Sequence, residues 1–464
     1  MATTEPPIDP RSVTSVDLAK AIVKQRGLNH VKVGVVDMDG IIRGKYMSRE
    51  KFFSALDKGF GFCDVVLGWD SNDQLYEGVD INYTGWQTGY PDAPVRIVPQ
   101  TCRELVDEPG MLFFLGEFES EAESICPRGL LKRVLDKAES MGLYVLAAFE
   151  YEFFLFDETP HSLREKNYRG LKPITPGFFG YSVLRNSVHS ELYQSLLAMA
   201  QQMDFPLEGL HTETGPGVLE AAIAVDDGLS AADKAVMFKT FTKIWAQRNN
   251  MMATFMAKWS NDYPGQSGHI HMSLWQEENK NAFYDKQQPH GMGKLMYQFI
   301  AGQQKYMPQF TAMYAQTVNA YSRMVPGFWA PTHATWGVEN RTTALRVIPG
   351  SEKSQRVEFR FGSADANPYI AFAAALASGL LGIEEQLEPE PQVKGNAYQQ
   401  DFSEDLALPV TLDQAAQRLL KSDAAKHVFG EQFVQHYAAT RLWEAQEFRK
   451  HISDWELKRY FEII

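Results

Sequence analysis

Three short segments of this chain carry ionisable or hydroxyl side chains at every second position. In AFEYEFFLF, Glu150 and Glu152 alternate with Phe149, Tyr151 and Phe153. In SGHIHMSL, His269, His271 and Ser273 alternate with Ile270, Met272 and Leu274, and in RVEFRF, Arg356, Glu358 and Arg360 alternate with Val357, Phe359 and Phe361. An extended strand turns successive side chains to opposite faces, so each segment predicts one apolar and one chemical face. One such strand is equally explained as a solvated sheet edge, whereas three together point to a shared site.

Two carboxylates on one strand face repel unless a positive charge lies between them, and a divalent cation supplies it economically. The segment HTETGPGVLE adds Glu213 and Glu220 around a GPG turn able to fold both acids toward one point. The candidate metal ligands are therefore Glu150, Glu152, Glu213, Glu220, Glu358 and His269. This hard, oxygen-dominated set without thiolate suits Mg²⁺ or Mn²⁺ rather than structural zinc. Arg323, Arg341, Arg346, Arg356 and Arg360 crowd one stretch of chain. Arginines are usually surface residues, but interleaved with a metal-ligand strand they read as clamps for phosphates and a carboxylate. There is no GxxxxGK[ST] loop and no GxGxxG after a strand, which argues against a P-loop kinase and a Rossmann dehydrogenase.

The elements that must position these residues follow from periodicity. A helical segment Ser15 to Arg26 precedes two short strands, Val31 to Val36 and Ile41 to Tyr46, that flank a DMDG turn and read as a hairpin. Helical spacing recurs over Arg128 to Met141, Ser190 to Met203 and Ala232 to Asn249. The alanine-rich run Tyr369 to Ile383 is shorter than the roughly 20 residues a bilayer span needs. It reads as a buried helix with Asn367 as N-cap and Pro368 at its first position. Residues 384–409 read as a long surface excursion, and 412–464 as mostly helical. The chain divides into a small α+β unit, residues 1–120, and a larger one, 121–464.

With 464 residues, the chain is long enough to bury a large active site. A formal net charge of −13 argues against a nucleic-acid binder. The three cysteines, Cys63, Cys102 and Cys126, form no CxxC pair, and the start MATTEPPIDPRS has neither the basic residues nor the apolar stretch of a secretory signal. A cytoplasmic enzyme without membrane attachment is the expectation.

The motifs FEYEFFLF, HTETGPGVLE, SGHIHMSL, NAYSRMVPGFWAP, ENRTTALRV, QRVEFRF and DANPYIAFAAAL, in this order, resemble the glutamine synthetase family from about Val31 to the C-terminal SDWELKRY. The resemblance implies an α+β fold, with a small N-terminal β-grasp domain on a catalytic domain built from a curved antiparallel sheet flanked by helices. It also implies a homo-oligomer of two stacked hexameric rings with active sites between subunits. The implied substrates are glutamate, ATP and an amine, with two or three Mg²⁺ or Mn²⁺ ions per site. Glu152, Glu213 and Glu220 match the ligands of the metal that engages the activated glutamate. Glu150, His269 and Glu358 match those of the metal that orients the ATP phosphates. Arg323, Arg360 and the backbone of Gly265 match glutamate contacts. Arg341, Arg346 and Arg356 match phosphate-binding arginines, and His271 and Ser273 match positions near the nucleotide. The implied reaction forms γ-glutamyl phosphate, which an amine nitrogen then opens.

Departures from the family pattern bear on the amine. Ammonia-using members read RLVPGYEAP after the arginine, and that glutamate helps bind and deprotonate ammonium. Here the stretch runs from Arg323 to Pro331 with Trp329 in place of the acid. The GYF stretch reads Gly177-Phe178-Phe179, and the FDGSSI loop reads GFCDVVLGW with Asp64 as counterpart; a separate departure, Val218 where GPGQxE has glutamine, bears on how glutamate is positioned and leaves the metal ligand Glu220 in place. Phe178 and Trp329 thus suit an amine with a hydrophobic or aromatic body. Glu213 or Asp64 are the candidate bases, and Glu339 is an alternative acid over the site. The expectation is a γ-glutamyl-monoamine ligase. The alternatives are a putrescine or other polyamine ligase, a true glutamine synthetase and a catalytically silent relative. Tyr398 is a conceivable site of adenylylation.

Overall fold

The computed structural model describes residues 6–79, 81, 83–276 and 280–464. Two sheets organise it. The first is built within residues 30–118 and has the strand order Ile42–Ser48, His30–Val36, Leu112–Phe118, Asp92–Ile97, Phe60–Cys63, with Arg103–Glu104 pairing with Leu112–Phe118. The hairpin at the DMDG turn is antiparallel, while His30–Val36 runs parallel to Leu112–Phe118, the arrangement of a β-grasp. The turn closes because Asp37 Oδ1 accepts from the backbone of Asp39 (3.0 Å) and Ile41 (2.9 Å).

The second sheet has ten strands, in the order Trp336–Val338, Leu345–Ile348, Arg356–Phe359, Gly268–Gln276, Tyr144–Phe156, Val218–Ile223, Leu207–Thr212, with three short strands pairing with the long central strands Tyr144–Phe156 and Gly268–Gln276. The expectation of an antiparallel sheet needs one correction, because Trp336–Val338 and Leu345–Ile348 run parallel. Asn340 explains how so short a connection returns the chain in the same direction. Its side chain accepts from the Thr342 amide (3.0 Å) and its carbonyl accepts from the Thr343 hydroxyl (2.9 Å), folding residues 339–344 into a compact loop.

Helices cover the apolar face of this sheet. Gly228–Arg248 packs on Tyr144–Phe156, and Pro368–Glu384 is buried along most of its length. Asn367 caps the latter helix through the Tyr369 amide (3.0 Å), with Pro368 at its first position. It crosses Lys294–Phe310 where Gly302 and Gly382 meet, and a Cβ on Gly382 would lie 2.1 Å from the Gln298 carbonyl oxygen. Only glycine permits that approach. Among the described residues, no helix is long and apolar enough to cross a membrane.

Two side chains fasten the DMDG turn to the rest of the chain. Asn367 Nδ2 donates to the Asp37 carbonyl (3.0 Å), and the fully buried Arg441 of Glu431–Arg449 pairs with Asp39 at 2.8 Å. The stretch read as a surface excursion is largely exposed, as expected, and is strapped to the sheet edge. Val393 donates to the Trp336 carbonyl (2.9 Å) and Ala397 to the Thr342 hydroxyl (3.0 Å). The Tyr398 hydroxyl is buried here without a hydrogen-bond partner, while the rest of the residue is part-exposed.

Candidate active site

Strand register assembles the chemical face one rung at a time. Glu150 lies opposite His269 on one side and Ala222 on the other, Glu152 lies opposite Glu220, and Glu220 lies opposite His211. Further along, Glu358 is flanked by His271 and Arg346. The GPG turn adds Glu213. Gly215 and Gly217 take positive φ there, and the Glu213 amide closes the turn on the Val218 carbonyl at 3.2 Å.

Two ligand clusters result. In one, Glu150, His269 and Glu358 bring ligand atoms within 4.8 Å of one another; in the other, His211, Glu213 and Glu220 do the same. Glu152 belongs to the same rung as Glu220, but one oxygen is engaged by the Ser267 amide (2.5 Å) and hydroxyl (2.7 Å). His211 is the residue that sequence reasoning missed, although it stands two positions before Glu213 and so shares its face.

Electrostatics argue that the site is built for cations. Burial, reinforced by the carboxylates of Glu150, Glu152 and Glu213, pushes Glu220 up to about 11. Burial also raises Glu152. For Glu150 burial is outweighed by hydrogen bonds from His269 and His271, which hold it well below the usual range. Glu358 is held at about 2 by Arg360, His269 and His271 despite its burial. His269 turns its Nδ1 toward the cluster, 3.3 Å from Glu150 Oε2 and 3.4 Å from Glu358 Oε1, so one ion could take all three donors. The donor set fits a hard divalent ion.

The arginines are arranged around these acids. Arg360 binds Glu358 through Nη1, and Arg346 spans Glu358 (Nη1, 3.0 Å) and Glu339 (Nε, 3.1 Å). Glu339 is thus spent on Arg346 and is not on the cavity wall. Arg323 Nη2 donates to the Gly362 carbonyl (3.0 Å), while the Nε atoms of Arg323 and Arg360 are buried and unpartnered. A Cβ on Gly265 would fall 2.4 Å from Arg323 Cγ, so this wall tolerates glycine alone.

Two cavities meet at Glu150. The first, about 520 Å³, takes in both ligand clusters, Gly265, Arg323, Arg341, Arg346 and Arg360, and is roofed by Phe328 and Trp329. The second, about 440 Å³, is bordered by His271, Ser273, Trp275, Lys353 and Arg356. Arg356 Nε contacts His271 Nδ1 at 3.3 Å.

Two expected residues are not brought in. Phe178 is half exposed, its ring 5.6 Å from that of Tyr263, and lies off the wall of the first cavity. Tyr181 takes that wall, stacked on His211 at 4.3 Å and 9°. The stretch Gly180-Tyr181-Ser182, three residues on, keeps the tyrosine that the Gly177-Phe178-Phe179 reading counted as lost. Asp64 is buried in the N-terminal region, beyond the strand Phe60–Cys63, and lines neither cavity.

Residues 124–460 match the family model described as glutamine synthetase, catalytic domain. The chain belongs to the glutamine synthetase family. It is 44% identical over 441 residues to type-1 glutamine synthetase 2 of Dictyostelium discoideum, covering 94% of this chain and 84% of that protein. It is 35% identical to the glutamate–isopropylamine ligase of a Pseudomonas species (95% and 97%) and 34% identical to the γ-glutamylethanolamide synthetase of Streptomyces coelicolor (96% and 96%). Its fold matches the solved structure "Apo GmaS without ligand" with a TM-score of 0.82 at 23% identity, covering 96% of this chain and 99% of the other. Members of this glutamine synthetase family are ATP-dependent ligases that form carbon–nitrogen bonds from glutamate and ammonia or an amine, with divalent metal ions, and the chain is such a ligase.

Proposed function

We propose that this glutamine synthetase homologue is a γ-glutamyl-monoamine ligase whose acceptor carries a hydrophobic or aromatic body. The observation that carries the reading is the roof over the first cavity, where Phe328 and Trp329 stand and the segment from Met324 to Pro331 holds no acid. A small ammonium ion requires several oxygen partners, whereas an indole face favours an amine with a hydrocarbon substituent.

In this reading Glu150, His269 and Glu358 hold one Mg²⁺ or Mn²⁺, and Glu152, Glu213 and Glu220 another, with His211 beside it. Bound divalent ions supply charge neutralisation of the phosphates. The unpartnered Nε atoms of Arg323 and Arg360 hold the carboxylate of glutamate, aided by the backbone of Gly265. The γ-carboxylate oxygen bonds to the terminal phosphorus of ATP as the bond to ADP breaks, with ADP lying toward His271, Ser273 and Arg356. Arg341 and Arg346 offset charge on the transferred phosphoryl group. The amine nitrogen then attacks the acyl carbon, phosphate leaves, and Glu213 takes the proton. Phe328 and Trp329 exclude water that would hydrolyse the acyl phosphate.

The reading extends to a cytoplasmic ring assembly, two stacked hexamers with sites shared between subunits. It is supported by Asp64 lining neither cavity of its own chain, and by exposed Phe178, Phe179, Val183, Leu184 and Val188 in the segment that carries the cavity-wall residue Tyr181. Two other readings have specific support. Tyr181 on the wall favours ammonia, as does the similarity to type-1 glutamine synthetase 2. The 28% identity to the γ-glutamylputrescine synthetase of Escherichia coli favours a diamine. Phosphate release with ATP, Mg²⁺, glutamate and a panel of amines, with products weighed by mass spectrometry, separates them. A hydrophobic monoamine should give the highest kcat/KM; ammonium or putrescine in that place would replace this reading.

A further inference from the structure

The strand that carries Glu150 and Glu152 has a third residue on the same face, Phe154, and its partner across the register is Val218. The rung after the acidic pair Glu152 and Glu220 is therefore apolar. At the rise of a strand the two rungs are about 7 Å apart. Phe154 and Val218 both line the first cavity yet are only 1% and 4% exposed, so little beyond their cavity-facing atoms meets solvent.

The rung is also closely packed. Trp259 packs behind it, with its ring 5.6 Å from Phe154 and 4.8 Å from Phe156. The GPG turn lies against the other side, where a Cβ on Gly215 would come within 3.2 Å of Phe154 Cζ. The aromatic ring is held between turn and indole, whereas Trp329 in the roof is 55% exposed. Val218 also stands where the family motif GPGQxE has glutamine, so an apolar surface replaces an amide beside the acyl-transfer site.

We infer that the Phe154–Val218 rung is the seat of the amine's hydrocarbon body and that Val218 is a specificity-determining residue. The inference rests on the monoamine reading and adds a substrate class to it: primary amines with a compact branched or aryl body, long enough to reach from the acyl carbon to the next rung. Phe328 and Trp329 close over that body from the opposite side.

The test uses the full chain and the variants Val218→Thr, which keeps the shape and adds a hydroxyl, and Val218→Gln. Melting temperature verifies that each is folded, and Val218→Thr serves alone if the larger side chain is not accommodated. The readouts are kcat/KM for benzylamine, isopropylamine and ammonium, and KM for glutamate. Both variants should lower the benzylamine-to-ammonium ratio by roughly 10-fold or more, the scale on which a pocket senses one methylene, with KM for glutamate unchanged. An unchanged ratio, or a rise in glutamate KM without a change in ratio, would overturn the seat while leaving the monoamine reading intact. A wild-type enzyme that prefers ammonium would overturn both.

Discussion

Glu220 stands directly opposite Glu152 on the neighbouring strand, two carboxylates in register with Glu220 only 8% exposed. Two ionised carboxylates so placed would repel, and burial aggravates the repulsion, so without a cation the pair retains a proton. A cation between them reverses the sign. The variant Glu220→Gln should therefore melt at or above the wild-type temperature in EDTA, yet lose most of the stabilisation that Mg²⁺ or Mn²⁺ confers. In wild type that stabilisation should reach about 2.7 kcal/mol at a hundredfold excess of ion over its Kd. Scanning calorimetry with and without metal measures both.

Metal affinity should rise with pH. Burial and neighbouring carboxylates push Glu220 up to about 11, so at neutral pH the metal-free site holds a proton that a bound ion must displace. Isothermal titration in buffers of different ionisation enthalpy should reveal proton release near pH 7, and Glu220→Gln should diminish it.

Burial also depresses His436, to about 4, where its Nε2 lies 2.9 Å from the Leu67 carbonyl and ties the helix Glu431–Arg449 to the N-terminal region. The unfolded chain binds this proton with a pKa near 6.5, the folded chain only near 4. Between those values the unfolded state carries more protons, so this contribution is intact above about 6.5 and is lost as pH falls toward 4. Urea unfolding at stepped pH should show that decline, and His436→Gln should flatten it.

Periodicity explains which parts of the site are legible in the sequence. Alternation in a strand is read directly from the order of residues, so the shared face of Glu150 and Glu152, of His269 and His271, and of Glu358 and Arg360 is visible there. The helix Pro368–Glu384 is equally plain, because Asn367 and Pro368 mark its start and an alanine-rich run fills it. Residues 166–182 have no such period, and there the motif reading selects Phe178 where the chain presents Tyr181. The parallel edge pair is hidden for a related reason: it depends on hydrogen bonds of Asn340 that no hydrophobic pattern announces.

Trp329 adopts a left-handed backbone, φ +60°, at the roof of the cavity. Trp329→Glu should restore an acid at the position where ammonia-using relatives carry one. The expected outcome is a gain in kcat/KM for ammonium and a loss of roughly 10- to 100-fold for hydrophobic amines. Because the residue is half exposed, folding should be unaffected, and circular dichroism with a melting curve checks this.

In the proposed reaction the side-chain carboxylate of glutamate is phosphorylated before an amine arrives. Glutamate labelled with ¹⁸O in its γ-carboxylate tests it most directly, through the mass of the phosphate released in the presence of ATP, Mg²⁺ and a hydrophobic monoamine. One labelled oxygen per phosphate, with the amine joined to the γ-carbon, is the predicted result. Unlabelled phosphate, or phosphate released without any need for glutamate, would contradict it.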